Sequence, residues 1–364
     1  MRIALIEPYY GGSHRTWADG YARTSAHEVT LITHPARFWK WRMHGGFLTL
    51  AERLSEDIDE HGRPDVILAS SMMDVAAFAG AIRHVASGVP VAAYFHESQF
   101  TYPLSPADKT DLTYPMKNWG SAAVADLAIF NSQFHREVFR TEARRLLNTF
   151  PEDKHVHRVE PVLDRAIVLP VGIDLDDLIH RMRSPDVPPL IVWNHRWEHD
   201  KGPVELRAIV DELVLRSIDF RIAMCGEVFV SVPPDFAGIV ETLGDRLVQH
   251  GWADRPRYED LLSEASVILS TAQQEFFGIG VVEGIAAGAG PVLPNRLVYP
   301  ERIAALGIEP TTVLFDSPST AVDLIVRAFD TGPDPAARSA TAIYDWSTVA
   351  PAYDEVLEEM RRRP

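Results

Sequence analysis

The feature that most limits what this chain can fold into is the alternation of short apolar runs with helical stretches. In the first half "RIALIE", "HEVTLIT", "DVILAS", "VAAYFH", "LAIFNS" and "AIVLPVG" read as strands, and in the second half "LIVWNHR", "FRIAMCG", "LVQHGW", "VILST" and "GPVLPN" do. Between them "DVAAFAGAIRHVAS", "FHREVFRTEARRLLNTF", "PVELRAIVDELVLRS", "RYEDLLSEA" and "GVVEGIAAG" carry apolar residues at helical spacing. Strands that are apolar almost throughout are buried on both faces, so the pattern predicts α/β architecture with parallel, doubly wound sheets. The proline-rich "RMRSPDVPP", Arg181 to Pro189, separates the two sets. With 364 residues the chain exceeds one comfortable core. The reading is therefore two domains, 1–180 and 181–344. The terminal stretch 345–364 reads as a helix with Ser347 as N-cap and arginines at its C-terminal end. It is expected to pack back on the first domain, although periodicity does not place it.

Composition narrows the function classes. Hydrophobic residues make up 46% and charged residues 24%, the balance of a soluble globular protein. No apolar run reaches the roughly 18 residues that would span a membrane. The opening run breaks at Glu7-Pro8 and reads as a strand, not a signal peptide. Cys225 is the only cysteine, which excludes an intrachain disulfide and a cysteine-based zinc site and suits a reducing cytoplasm. A formal net charge of −16 opposes global attraction to nucleic acid or anionic lipid, leaving only a local basic patch for such partners.

Open α/β sheets bind ligands at the carboxyl ends of their strands, and the polar residues of interest follow strands. "EPYYGGSH" places Gly11 and Gly12 where backbone N–H groups at a helix start can approach a phosphate, or where the chain only turns tightly. "NHRWEHDKGP" puts Arg196 and Lys201 before a helix, a pair able to neutralise a diphosphate, or else a solvated loop. "QQEFFGIGVVEG" holds Glu275 in a loop and Glu283 more than a turn into a helix that begins near Gly278. Two such carboxylates can accept hydrogen bonds from vicinal hydroxyls, or serve as cap and mid-helix charge. A glycosidase pair is disfavoured by the nucleotide-binding look of the surroundings. The third glycine comes one residue late for a dinucleotide fingerprint, which disfavours a nicotinamide-dependent dehydrogenase. "AAYFHESQFTYP" ends a strand with His96 and Glu97, and "FNSQFHREV" does so with Asn131 and Ser132. "PARFWKWRMHGG" interleaves Phe38, Trp39 and Trp41 with Arg37, Lys40 and Arg42, suited to stacking on bases and holding phosphates, or to a loop anchored by buried tryptophans. The Asp-x-Asp sequences at 57–59 and 174–177 and the histidine pair 195/199 find no matching ligand cluster.

Glu275-x7-Glu283 with Phe276-Phe277-Gly278, joined to Arg196, Lys201, "LPVGID" and "DWSTVAPAYDEVL", resembles the retaining family-four glycosyltransferases. "EPYYGGSHRTWADG", "PARFWKWR", "FHESQFTYP", "VWNHRWEHDKGP", "STAQQEFFGIGVVEG" and "LVYPE" are more closely similar to the tRNA-queuosine α-mannosyltransferase family, along nearly the whole chain. The resemblance implies the GT-B architecture, two facing Rossmann-like domains with a cleft that closes about the 181–189 hinge. It implies transfer of mannose from GDP-mannose to queuosine in tRNA, with no metal and no cofactor beyond the donor. Glu283 would hold the donor ribose, Glu275 and His96 the hexose, and Phe276, Phe277 and Gly278 the pocket around it. Arg196 and Lys201 would bind the diphosphate with help from Gly11 and Gly12, while Lys40, Arg42, Glu97 and Asn131 are candidate acceptor contacts. Rival readings are the same chemistry with another nucleotide sugar on a small-molecule, lipid or polysaccharide acceptor, and a non-catalytic nucleotide-sugar-binding module.

Overall fold

The computed structural model describes residues 1–101, 111–176, 178, 186–228, 232–332 and 334–362. The chain divides into two compact units, Met1–Ile173 with Tyr344–Pro364, and Asp174–Ile343. The division falls after Ile173, earlier than the boundary at 180 expected from the prolines, and residues 181–185 of the expected hinge lie outside the described residues.

Each unit is built on a wholly parallel six-stranded sheet. In the first, β1 (Arg2–Tyr10), β2 (Glu28–Pro35), β3 (Val66–Ser70), β4 (Val91–Phe95), β5 (Leu127–Phe130) and β6 (Ile167–Val168) lie in the order β2-β1-β3-β4-β5-β6. In the second, β7 (Leu190–Asn194), β8 (Arg221–Cys225), β9 (Leu247–Gly251), β10 (Ala265–Leu269), β11 (Gly290–Pro294) and β12 (Leu314–Phe315) lie in the order β12-β11-β10-β7-β8-β9. β3, β4 and β5 are buried at every position, the reason their sequences read as unbroken apolar runs. Two features escape the pattern. β12 has only two residues and no run to announce it. β1 continues past Pro8, and its pairing with β2 shifts register between Glu7 and Tyr10.

The terminal helix is Trp346–Arg362, and its contacts explain why it belongs to the first unit. The Trp346 indole lies against Gly20 and Gly172, where an added Cβ would come within 2.0 and 2.2 Å of it. Asp354 accepts from Tyr21 Oη at 2.8 Å, Ser25 Oγ at 2.6 Å and the Ala26 N–H at 2.8 Å. The expected cap is corrected: Ser347 lies inside the helix, and the Asp345 carboxylate takes the Ser347 N–H at 2.8 Å. No helix among the described residues is long and apolar enough to cross a membrane.

Candidate active site

In the second unit the site grows from two loops at strand ends, 195–202 after β7 and 270–278 after β10. They are stitched together by backbone and side-chain bonds. The Gln273 and Gln274 N–H groups donate to the Asp200 carbonyl at 2.8 and 3.3 Å, and Thr271 Oγ1 donates to the Lys201 carbonyl at 2.7 Å. Lys201 is thereby buried, with Nζ 2.9 Å from the Gln274 carbonyl, 3.0 Å from Asp200 Oδ2 and 3.9 Å from Glu275 Oε2. Glu275 Oε1 accepts the N–H groups of Phe276, Phe277 and Gly278 at 3.1, 3.3 and 3.1 Å. Glu275 thus satisfies backbone donors at the start of the helix Ile279–Ala286, where a negative charge also suits the helix dipole. Phe276 and Phe277 are buried. Arg196 is half-exposed and pairs with Glu198 at 3.2 Å. Partly buried His195 bonds Ser270 Oγ at 2.9 Å, and its pKa is held well below 6.5 by desolvation and then by Lys201 and Arg196.

Glu283 lies within the helix Ile279–Ala286 and is buried. Arg255 Nη1 donates to its Oε1 at 2.5 Å and Tyr258 Oη to its Oε2 at 3.1 Å, while Asn194 Nδ2 holds Tyr258 Oη at 2.7 Å. Burial pushes the Glu283 pKa up, against the opposing pull of Arg255. Sequence reading missed Arg255, Tyr258 and Arg302. A signal for Arg255 existed: it follows β9 and opens the helix Arg255–Glu264, the placement that singled out Arg196. Arg302 is buried with its guanidinium 4.2 Å over the Phe277 ring and its Nε on the Phe277 carbonyl at 3.1 Å.

In the first unit, strand ends again gather the polar residues. Gly11 caps the helix Gly12–Thr24, and a Cβ there would meet that of Ala36 at 2.4 Å, while Gly12 takes the left-handed φ of 52°. One turn on, His14 Nδ1 lies 3.1 Å from Glu7 Oε2 and His14 Nε2 lies 3.3 Å from Glu97 Oε2. His96 Nε2 is 3.9 Å from the same Glu7 oxygen, and the two imidazole centroids are 4.2 Å apart. The two histidines are driven in opposite directions. Burial pulls His14 down, but Glu7 and Glu97 overcome it and raise its pKa to about 10. His96 is pushed well below 6.5 by burial, then by the charges of His14 and His135. Asn131 is buried beneath this cluster, donating to the His96 carbonyl at 2.7 Å and bonding His135 Nδ1 at 2.9 Å. It supports the site rather than lining it, which corrects its expected place among acceptor contacts. Glu7 and His14 were overlooked because the stretch "EPYYGGSH" drew attention to its glycines.

The basic-aromatic stretch opens the helix Trp39–His61, so it is not the loop expected of buried tryptophans. Phe38 is 78% and Trp41 61% exposed, and Arg37 and Lys40 are also exposed. Arg42 faces inward: it is buried, with Nε and Nη2 on the Pro35 carbonyl at 3.4 and 3.3 Å. Its expected acceptor contact is therefore corrected to a structural role.

Comparison with known proteins decides the family. A family model described as "tRNA-queuosine alpha-mannosyltransferase N-terminal" matches residues 2–173. The tRNA-queuosine alpha-mannosyltransferase of Drosophila melanogaster is 32% identical over 309 residues, 82% of this chain and 81% of that protein. This chain belongs to the tRNA-queuosine α-mannosyltransferase family. Like the rest of that family it is a glycosyltransferase, and its two Rossmann-like units are those of the GT-B class. Among solved structures, sucrose-phosphate synthase from Thermosynechococcus elongatus matches with a TM-score of 0.74 at 15% identity over 99% of both chains. A glycosyltransferase from Rickettsia africae matches with 0.70 at 16% identity, over 100% of this chain and 99% of that one. At such identities the structures speak for the fold alone.

Proposed function

We propose that this family member transfers mannose from GDP-mannose to the cyclopentenediol of queuosine in tRNA, with retention of anomeric configuration. The observation that carries the acceptor and the sugar is the 32% identity, over four-fifths of each chain, to a protein named for that reaction. The donor nucleotide follows from the family resemblance.

The chemistry asked of the protein is modest. The acceptor oxygen bonds to the anomeric carbon as the carbon–oxygen bond to the diphosphate breaks, and the acceptor's proton passes to the departing diphosphate oxygen. Negative charge grows on that diphosphate, so fixed cations lower the barrier most. Lys201 suits this role because Gln274 and Asp200 already fix its direction beside Glu275, so it needs no reorganisation when charge develops. Arg196, half-exposed, supplies a second positive charge. Glu275 then serves the hexose hydroxyls. Glu283 serves the ribose through lone pairs left beside Arg255 and Tyr258. Exposed Phe38 and Trp41 with Arg37 and Lys40 form a face suited to single-stranded RNA, where rings stack on bases and cations meet phosphates. This local patch answers the objection raised by the net charge of −16.

The test is transfer of label from GDP-mannose to tRNA with and without queuosine. Label is expected only in queuosine-containing tRNA, and it should be lost on periodate-free enzymatic removal of α-mannose. Equal labelling of both tRNAs, or labelling from another nucleotide sugar in preference, overturns the assignment.

A further inference from the structure

We propose that Glu7 Oε2, His14 Nδ1 and His96 Nε2 form a binding site for one divalent cation of the zinc class. The starting point is an imbalance in hydrogen bonding. All three are buried side-chain atoms without a hydrogen-bond partner, and all lie within 4.8 Å of one another. The Glu7 side chain is fully buried, and those of His14 and His96 are each 8% exposed. Leaving one such group unsatisfied costs about 1–3 kcal/mol, so three converging on one point call for a common partner.

An ion pair between Glu7 and His14 accounts for only part of this. Their atoms are 3.1 Å apart without the direction of a hydrogen bond, and His96 Nε2, 3.9 Å from Glu7, is left with nothing. A cation at the centre serves all three. Ligand atoms about 2.0–2.2 Å from one tetrahedral ion lie roughly 3.3–3.6 Å from each other. The two pairs with Glu7 Oε2, at 3.1 and 3.9 Å, reach that with shifts of a few tenths of an ångström, while the two imidazole nitrogens, within 4.8 Å, close by up to about 1.5 Å. The ion would stand where the imidazolium proton of His14 otherwise balances the carboxylate.

The surroundings are those of a ligand set. The other nitrogen of His14 faces Glu97 Oε2 at 3.3 Å, the carboxylate partner that fixes the tautomer of metal-bound imidazoles. Glu7 Oε1 takes the Tyr9 N–H at 2.8 Å, leaving Oε2 to the ion. His96 is packed by Trp17 and Tyr94, with ring centroids 4.6 and 4.7 Å away. Two imidazoles and one carboxylate suit zinc or a neighbouring transition metal and not magnesium or calcium, which take oxygen ligands. Three protein ligands leave a position for water or a substrate oxygen. The site departs from the metal-free expectation of the resemblance. It assigns His96 to the ion instead of to direct contact with a hydroxyl. Because it stands on the first unit's geometry, it does not depend on the donor or acceptor proposed above.

The experiment is titration of chelator-treated full-length protein with Co2+ and Zn2+, read by visible absorption of bound cobalt and by equilibrium dialysis. One equivalent should bind, with the d–d bands of a low-coordinate cobalt site and displacement by zinc. Glu7→Gln and His96→Gln, which keep side-chain volume, should lose stoichiometric binding, and Glu97→Gln should weaken it about 10–100-fold. Circular dichroism and melting confirm that each variant is folded. Wild-type protein that binds no equivalent of either ion overturns the site, and so does undiminished binding in both folded ligand variants.

Discussion

The two units treat the carboxylates of their candidate sites differently. In the second, Glu275 Oε1 takes three backbone N–H groups, and the oxygens of Glu283 are held by Arg255 and Tyr258. In the first, Glu7 Oε2 and the two histidine nitrogens beside it have no hydrogen bond at all. Burial of charge is costly unless donors or counter-charges offset it. For Glu275 and Glu283 the second unit meets that cost within its own chain, although Asp200 Oδ1 and Glu198 Oε2 there also lack a hydrogen bond. The first unit does so only in part, which marks its cluster as the place completed from outside.

The largest effect expected from this contrast is at Lys201. Removing its charge should lower kcat by about 100- to 1,000-fold, the cost of losing one fixed donor to growing negative charge. Lys201→Met also strands buried Asp200 and so should lower the melting temperature. Adding Asp200→Asn separates the two consequences: the double variant should regain stability without regaining rate. Recovery of kcat in the double variant would show that Lys201 acts only through the fold, and the second unit would lose its claim to the charged step.

A smaller effect, about tenfold on the donor KM, is expected for Glu283→Gln, which removes one charge-assisted hydrogen bond to the ribose worth about 1.5 kcal/mol. The same variant carries a pH signature. Burial raises the folded pKa of Glu283 above 4.5, so the folded state holds a proton that the unfolded chain has released. Its contribution to stability is therefore present below 4.5 and is lost as pH rises from there through the folded value. Melting temperatures of wild type and variant, taken at pH values rising from the ordinary carboxylate range towards neutrality, should diverge in the variant's favour as pH rises. Divergence in the other direction would mean that Arg255 holds the carboxylate more tightly than burial opposes it.

What was legible in the sequence follows the range of the interactions. The strands were visible because two-sided burial writes an apolar run into each, while β12, two residues long, has none. Glu275 and the backbone it caps lie within three residues of each other, so one window of sequence contained the whole device. Arg255 and Glu283 are separated by 28 positions and His14 and Glu97 by 83, and their meeting depends on strand order, which no local spacing records. Arg42 was misjudged for a related reason. Read as part of a loop, it looked equivalent to Lys40; on a helix it joins Met43, Gly46, Leu50 and Leu54 on the buried face.

That last distinction gives the smallest and most specific test of the division between units. Lys40 is exposed beside Trp41, its ammonium 5.7 Å from the Trp39 ring, whereas Arg42 is spent on the Pro35 carbonyl. Lys40→Ala should raise the KM for tRNA a few-fold and reduce the slope of log KM against log salt by about one phosphate contact, leaving the melting temperature and slow donor hydrolysis unchanged. Arg42→Ala should do the reverse, lowering the melting temperature while the salt slope stays fixed, because an inward guanidinium meets no phosphate. Should Arg42→Ala change the salt slope and Lys40→Ala not, the RNA face would have to be redrawn around the inner side of this helix, and the first unit's assignment to the acceptor would rest on the His14 cluster alone.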